Sequence, residues 1–232
     1  MIRTVLFDAA GTLFDVAEPV GETYARFARQ EGVSAEPLVL DDAFRAAFAA
    51  STPLAFPHAP AGELASLERA WWRRLVFDAF ARARVDASPA ALDSAFASVF
   101  EHYATAAAWH TYADVKPVLR LLRDRGLRLG VVSNFDGRLR RLLDALGLAS
   151  AFDAVVLSSE CGFAKPDRRI FEAALCAIAT PGAATLHVGD SEPLDRRAAT
   201  EAGLAALQLD RRGVSSAAVI THLDQLVDRI FP

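Results

Sequence analysis

Cysteine and lysine are both scarce in this 232-residue chain. It has 2 cysteines, Cys161 and Cys176, and of its 25 basic residues only Lys116 and Lys165 are lysines. Two cysteines without patterned spacing exclude a disulfide framework and a thiolate zinc site. His58, His102, His110, His187 and His222 are scattered without ligand spacing. Positive charge is also lacking, since the formal net charge is −4, so a nucleic-acid partner is not expected. No uninterrupted apolar run approaches the length that crosses a membrane. Met1–Thr4 lead straight into an apolar strand and leave no room for a signal peptide. These absences set the expectation of a cytoplasmic protein with neither membrane nor nucleic acid as partner. The Arg and Ala bias reads as genomic base composition, and it makes each lysine easier to interpret.

What the chain does have is apolar bulk. Hydrophobic residues make up 53%, enough for a large domain or for a core domain with an insert. After about Thr111, short β-rich runs alternate with helical stretches. Strands are expected at 127–132, 154–157, 185–188 and 205–209, with helices near 114–125, 137–147, 167–179, 193–202 and 222–230. Gly126, Gly147 and Gly203 stand where helices end, and Pro117 and Pro166 fit first turns. Near-continuous apolar strands joined by helices predict an α/β fold, a doubly wound parallel sheet covered on both faces. Right-handed crossovers then bring every strand C-terminus to one edge.

Residues 16–110 contain no convincing strand. Helices are expected near 18–31, 40–50, 63–84 and 89–106, and the third carries Leu64, Leu67, Trp71 and Leu75 at helical spacing. The expected division is therefore a core of 1–15 and 111–232 and a helical cap of 16–110, whose least regular piece is the loop Ser51–Gly62. Trp71 and Trp72 are adjacent and cannot share one helix face.

The strand ends hold the chemistry. Thr4–Phe7 lead into Asp8, and a turn, Ala9-Ala10-Gly11-Thr12, leads away. Alone, Asp8 reads as a turn-former at a strand end. Downstream, Ser133-Asn134, Lys165-Pro166 and Gly189-Asp190-Ser191 with Asp195 occupy matching positions. Alone, Ser133 reads as a strand cap and Asp195 as an acid in a first helical turn; together they read as a site. Asp190 and Asp195, five apart across a turn into a helix, can both face the Asp8 tip. Three converging acids repel without a cation, which implies Mg²⁺ with oxygen ligands.

In that order, Phe7–Leu13, Val132–Asn134, Lys165-Pro166 and Gly189–Asp195 resemble the four motifs of the haloacid dehalogenase superfamily, across essentially the whole chain. The resemblance implies a Rossmann-like core with an inserted helical C1 cap. The finer wording Ser133–Asp136, Leu186–Ser191 and Trp71-Trp72 is similar to the branch of the rhythmically expressed gene 2 protein. It further implies Asp8 as the nucleophile that forms an acyl-phosphate, Lys165 as the neutralising charge, and Ser133 and Asn134 as hydrogen-bond donors to the phosphoryl oxygens. Thr12 would support the turn beside Asp8. Metal ligands would be Asp8, the backbone carbonyl of Ala10, Asp190 and Asp195. The substrate so implied is a small phosphorylated metabolite; oligomeric state is left open.

One residue departs from that pattern. Phosphatases of the superfamily carry a second Asp two residues after the nucleophile, as general acid and base, and here that residue is Ala10. Phosphonoacetaldehyde hydrolases share the alanine but need a cap lysine, and residues 16–110 contain none. The 2-haloacid dehalogenases begin with a similar motif but lack the Asp190 and Asp195 pair. Two alternatives to phosphatase remain: a dehalogenase-like hydrolase, and a weakened hydrolase that binds a phosphorylated ligand. Arg45, Arg69, Arg73 and Arg74 of the cap read either as contacts for an anionic substrate or as a solvated face.

Overall fold

The computed structural model describes residues 1–60 and 62–231; Ala61, in the loop Ser51–Gly62, and Pro232 lie outside them. The strands are β1 (Thr4–Phe7), β2 (Phe14–Val16), β3 (Trp109–Thr111), β4 (Arg128–Ser133), β5 (Ala154–Leu157), β6 (Thr185–Gly189), β7 (Ala205–Leu209) and β8 (Val219–Ile220). The helices are α1 (Val20–Gln30), α2 (Pro37–Ala50), α3 (Leu64–Arg82), α4 (Pro89–His102), α5 (Val115–Asp124), α6 (Arg138–Ala145), α7 (Ser158–Cys161), α8 (Arg168–Ile178), α9 (Ala198–Glu201) and α10 (Gln225–Ile230). Among these helices, none is long and apolar enough to cross a membrane.

The chain forms two compact units, Met1–Asp15 with Ala55–His58 and Thr111–Pro232, and Val16–Leu54 with Ala59–His110. The first holds a six-stranded sheet in the order β5-β4-β1-β6-β7-β8, parallel throughout. Counting only its own strands along the chain, that order is 3-2-1-4-5-6, the doubly wound arrangement. β1 is fully buried, as its uninterrupted Thr-Val-Leu-Phe requires of a central strand with helices on both sides. One apolar cluster joins Leu6, Val132 and Val156 of the sheet to Ile170, Phe171, Ala174 and Ile178 of α8 and to Ala198 and Ala199 of α9. α8 starts on Asp167, whose carboxylate accepts the Arg169 N–H and so satisfies one of the free donors of a helix start.

The second unit is a four-helix assembly in which α1 packs on α2 and α4, and α3 on the same two. Tyr24 is at its centre, stacked on Phe80 with ring centroids 6.1 Å apart and edge-on to Phe44. Trp71 is buried and donates its indole N–H to the Thr52 carbonyl at 3.0 Å, while Trp72, on the neighbouring face, is half-buried and meets it edge-on.

Four features depart from the sequence reading, the short strand β8 being one that was not expected. Ala55–His58, expected in the cap, pack with the sheet unit. The strands β2 and β3 pair as a two-stranded sheet at the ends of the insert, where segments of three residues are too short for periodicity to register. The helix expected over 193–202 is a π-helical turn, Glu192–Arg197, followed by the four residues of α9.

Candidate active site

A doubly wound sheet opens a crevice where neighbouring crossovers leave in opposite directions, and here that point is between β1 and β6. The strands are in register, Phe7 opposite Val188, and the Asp8 N–H continues the ladder to the Val188 carbonyl at 2.9 Å. Asp8 and Asp190 are the first residues beyond these two strands, so both stand at the same edge of the sheet. Ser133 ends β4, on the other flank of β1.

Two glycines let the acids approach. Gly11 has φ of +82°, in the left-handed region that side chains disfavour, and a Cβ there would be 2.5 Å from Asp190 Oδ2. A Cβ on Gly189 would be 2.1 Å from Asp195 Cγ, so the Asp195 carboxylate lies folded directly over the end of β6. The π-turn that carries Asp195 closes on Ser191, whose N–H donates to Asp195 Oδ2 at 3.1 Å and whose hydroxyl accepts the Leu194 N–H. Gly189→Ala should therefore displace Asp195 and destabilise the fold by about 1–3 kcal/mol, the usual cost of an overpacked position, read as a lower midpoint in urea denaturation.

Lys165 joins the cluster from the loop before α8. It is buried, and its ammonium donates to Asp8 Oδ1 at 2.7 Å and to Asp195 Oδ1 at 2.5 Å. Asn134 fixes the Lys165 backbone from both sides, accepting its N–H at 2.7 Å and donating to its carbonyl at 2.9 Å. In the structure the Asn134 amide, expected from the sequence to donate to phosphoryl oxygens, holds the lysine peptide. Thr12 is fully buried, and its hydroxyl meets no partner among the described residues. Its backbone, not its hydroxyl, holds the turn, through its N–H to the Ala9 carbonyl. Ala10 forms an isolated bridge with Phe14 inside that turn.

His187 is the residue that the sequence reading missed. It lies fully buried on β6, edge-on to Phe171, with Nε2 2.9 Å from Asp195 Oδ1. Facing a carboxylate, that nitrogen donates. Its signal was present: it is the only ionisable residue in β6, two positions before the Gly-Asp pair.

The electrostatics follow from this crowding. Asp8 is raised above the usual carboxylate range, by burial first and against the pull of Lys165. Burial also acts on Asp195, but Lys165 and His187 outweigh it and hold that group well below the usual range. Asp190 is pushed up to about 7 by burial and then by the charges of Asp8 and Asp195. Lys165 is raised, because its two carboxylates outweigh its own burial. Asp8, Asp190 and Asp195 each present an oxygen within 4.8 Å of the others, an all-oxygen set that fits a hard divalent cation such as Mg²⁺.

Asp136 is not part of this cluster. It is fully buried and paired with Arg138, its oxygens 2.9 and 2.7 Å from the guanidinium. Asp15 accepts the Tyr112 hydroxyl at 3.1 Å. In the insert, Arg45 pairs with Asp41 and Asp42, Arg69 with Glu101, and Arg73 with Asp93, so these three serve pairs within their own unit.

The sequence profile of haloacid dehalogenase-like hydrolases matches residues 2–203. A haloacid dehalogenase-like hydrolase domain-containing protein 3 from Danio rerio is 34% identical over 223 residues, covering 96% of this chain and 89% of that protein. Among solved structures, an L-2-haloacid dehalogenase superposes with a TM-score of 0.74 at 25% identity, over 100% of this chain and 99% of its own. A HAD phosphatase from Thermococcus onnurineus superposes with a TM-score of 0.68 at 22% identity, over 99% and 98% of the two chains.

Proposed function

The chain belongs to the haloacid dehalogenase-like hydrolase family, and we propose that it is a Mg²⁺-dependent phosphomonoester hydrolase acting through an aspartyl-phosphate on Asp8. Its helical insert between the first and second motifs supports the C1-capped subfamily, and Ser133–Asp136 with Trp71-Trp72 supports the branch of the rhythmically expressed gene 2 protein. The substrate is a small phosphorylated metabolite.

One observation carries the reading: Lys165 bridges Asp8 and Asp195 at the switch point of the sheet, with Asp190 beside them. A carboxylate oxygen of Asp8 attacks phosphorus, the bond from phosphorus to the leaving oxygen breaks, and water then displaces phosphate from the acyl-phosphate. Lys165 lowers the repulsion between the two anions in the first step. Asn134 keeps the Lys165 backbone fixed, and the Ser133 hydroxyl at the tip of β4 is the donor for a phosphoryl oxygen. Mg²⁺, held by Asp8, Asp190, Asp195 and the Ala10 carbonyl, would supply charge stabilisation for the transferred group.

The test is a panel of aryl and alkyl phosphates and 2-haloacids, each with and without Mg²⁺. Phosphate release that requires the metal supports the reading, and chloride release without metal would replace it with a dehalogenase. The likeness to an L-2-haloacid dehalogenase is the reason that arm is included. A second measurement needs no turnover. At a hundred times its Kd, Mg²⁺ should stabilise the protein by about 2.7 kcal/mol, roughly 5–11 °C in melting temperature. Asp190→Asn should remove most of that shift, and an unchanged shift would rule out the metal site.

A further inference from the structure

Arg211, in the loop after β7, is 199 residues from Thr12 along the chain, yet its Nη2 donates to the Thr12 carbonyl at 2.9 Å. The same guanidinium grips both oxygens of Asp114, at 3.0 and 3.1 Å, and its carbon lies 3.7 Å from the centroid of the Tyr112 ring. Tyr112 in turn donates its hydroxyl to Asp15 and its N–H to the Leu13 carbonyl at 3.3 Å, and Asp114 accepts the Leu223 N–H at 2.8 Å. One planar cation therefore ties together the turn after the nucleophile, the segment that returns from the insert, and the C-terminal region. The fork and the stack require arginine; a lysine ammonium makes neither.

We infer that Arg211 is a positioning residue for the Asp8–Thr12 turn, an inference that rests on Asp8 being the nucleophile as proposed above. Among the described residues the turn is otherwise held by its own backbone bonds, Thr12, Leu13 and Phe14 N–H to the Ala9 carbonyl and Gly11 N–H to the Phe14 carbonyl, and by the Tyr112 N–H on the Leu13 carbonyl. Gly11, at its apex, makes the close approach to Asp190. The bond from Arg211 to the Thr12 carbonyl fixes the residue next to that apex, and with it the distance between Asp8 and Asp190. The Arg211 Nε–H is buried and faces no acceptor among the described residues, so the guanidinium is oriented by the groups it holds more than by its own hydrogen-bonding needs.

The test compares the full-length protein with Arg211→Met and Arg211→Lys. Deuterium exchange is followed in the peptide spanning residues 8–14, and kcat and KM are measured with p-nitrophenyl phosphate and Mg²⁺. Exchange in 8–14 should quicken in both variants while β4 is unchanged. The kcat should fall about ten- to a hundredfold in Arg211→Met, with KM within about twofold and a smaller loss in Arg211→Lys. Unchanged exchange in 8–14 overturns the inference, whatever happens to the melting temperature, and so does a uniform rise across the sheet, which would mean a purely structural brace. If Arg211→Met does not fold, Arg211→Lys decides by the same two readouts. Absence of any phosphate turnover in the natural protein would count against the proposed function, and the exchange measurement would still decide the role of Arg211.

Discussion

Lys165→Ala is expected to lower phosphoryl transfer by about 100- to 1,000-fold, the size of effect seen when one preorganised charge or donor is removed from a developing anion. The structure adds a consequence for stability. Lys165 is buried between two carboxylates, so its loss leaves Asp8, Asp190 and Asp195 together with no counter-charge among their side chains except the hydrogen bond from His187. Removing one partner of a buried ion pair costs about 3–5 kcal/mol. The variant should accordingly melt well below the natural protein in EDTA, and Mg²⁺ should restore part of the difference by neutralising the same carboxylates. Activity and melting temperature, each with and without Mg²⁺, check both statements. A folded Lys165→Ala protein with natural turnover would remove the basis of the proposed mechanism.

Ala10→Asp is expected to act in the opposite direction. With alanine at position 10, no side chain there protonates the leaving oxygen or activates the water that clears the acyl-phosphate. The two nearby acids are otherwise engaged: Asp136 lies fully buried under Arg138, and Asp15 takes the Tyr112 hydroxyl. The first step should therefore favour leaving groups that need no proton, and aryl phosphates should outpace alkyl phosphates in the natural protein. The aspartyl-phosphate should persist long enough to be trapped by rapid quenching. Supplying the carboxyl should raise alkyl phosphate turnover by about 10²- to 10⁴-fold, the usual contribution of general acid–base help, and aryl turnover by less. Equal rates for both classes in the natural protein, with no gain in Ala10→Asp, would mean that a group outside residue 10 moves the proton.

The parts of this site that were legible in the sequence are those fixed by local pattern. Asp8 and Asp190 follow apolar strands, and a strand end specifies a position at the sheet edge. Lys165 was legible because lysine is so rare here. What escaped was set by contacts across the chain. For Asn134 the resemblance implied a phosphate donor, and its hold on a peptide 31 residues away could not be read locally. His187 showed no ligand spacing, and only the folding of Asp195 back over Gly189 gives it a carboxylate partner. Arg211 was invisible, since no local pattern connects it to Thr12. In the fold, β2, β3 and β8 were missed for their length, and Ala55–His58 because tertiary packing decides which unit a loop joins.

The position of β1 also bears on how the molecule is made. It precedes in the chain both strands that flank it, and the second of these, β6, is not complete until Gly189. At about 5–20 residues per second of synthesis, the roughly 180 intervening residues keep one edge of β1 unpaired for about 9–36 s. The helices of the insert have all their helical partners once α4 ends at His102, well before β6 is made. On the ribosome the order of events should thus invert the order of the chain: the middle folds while its first strand waits, and Asp8, the proposed nucleophile, is the earliest of the site residues synthesised and among the last to be placed.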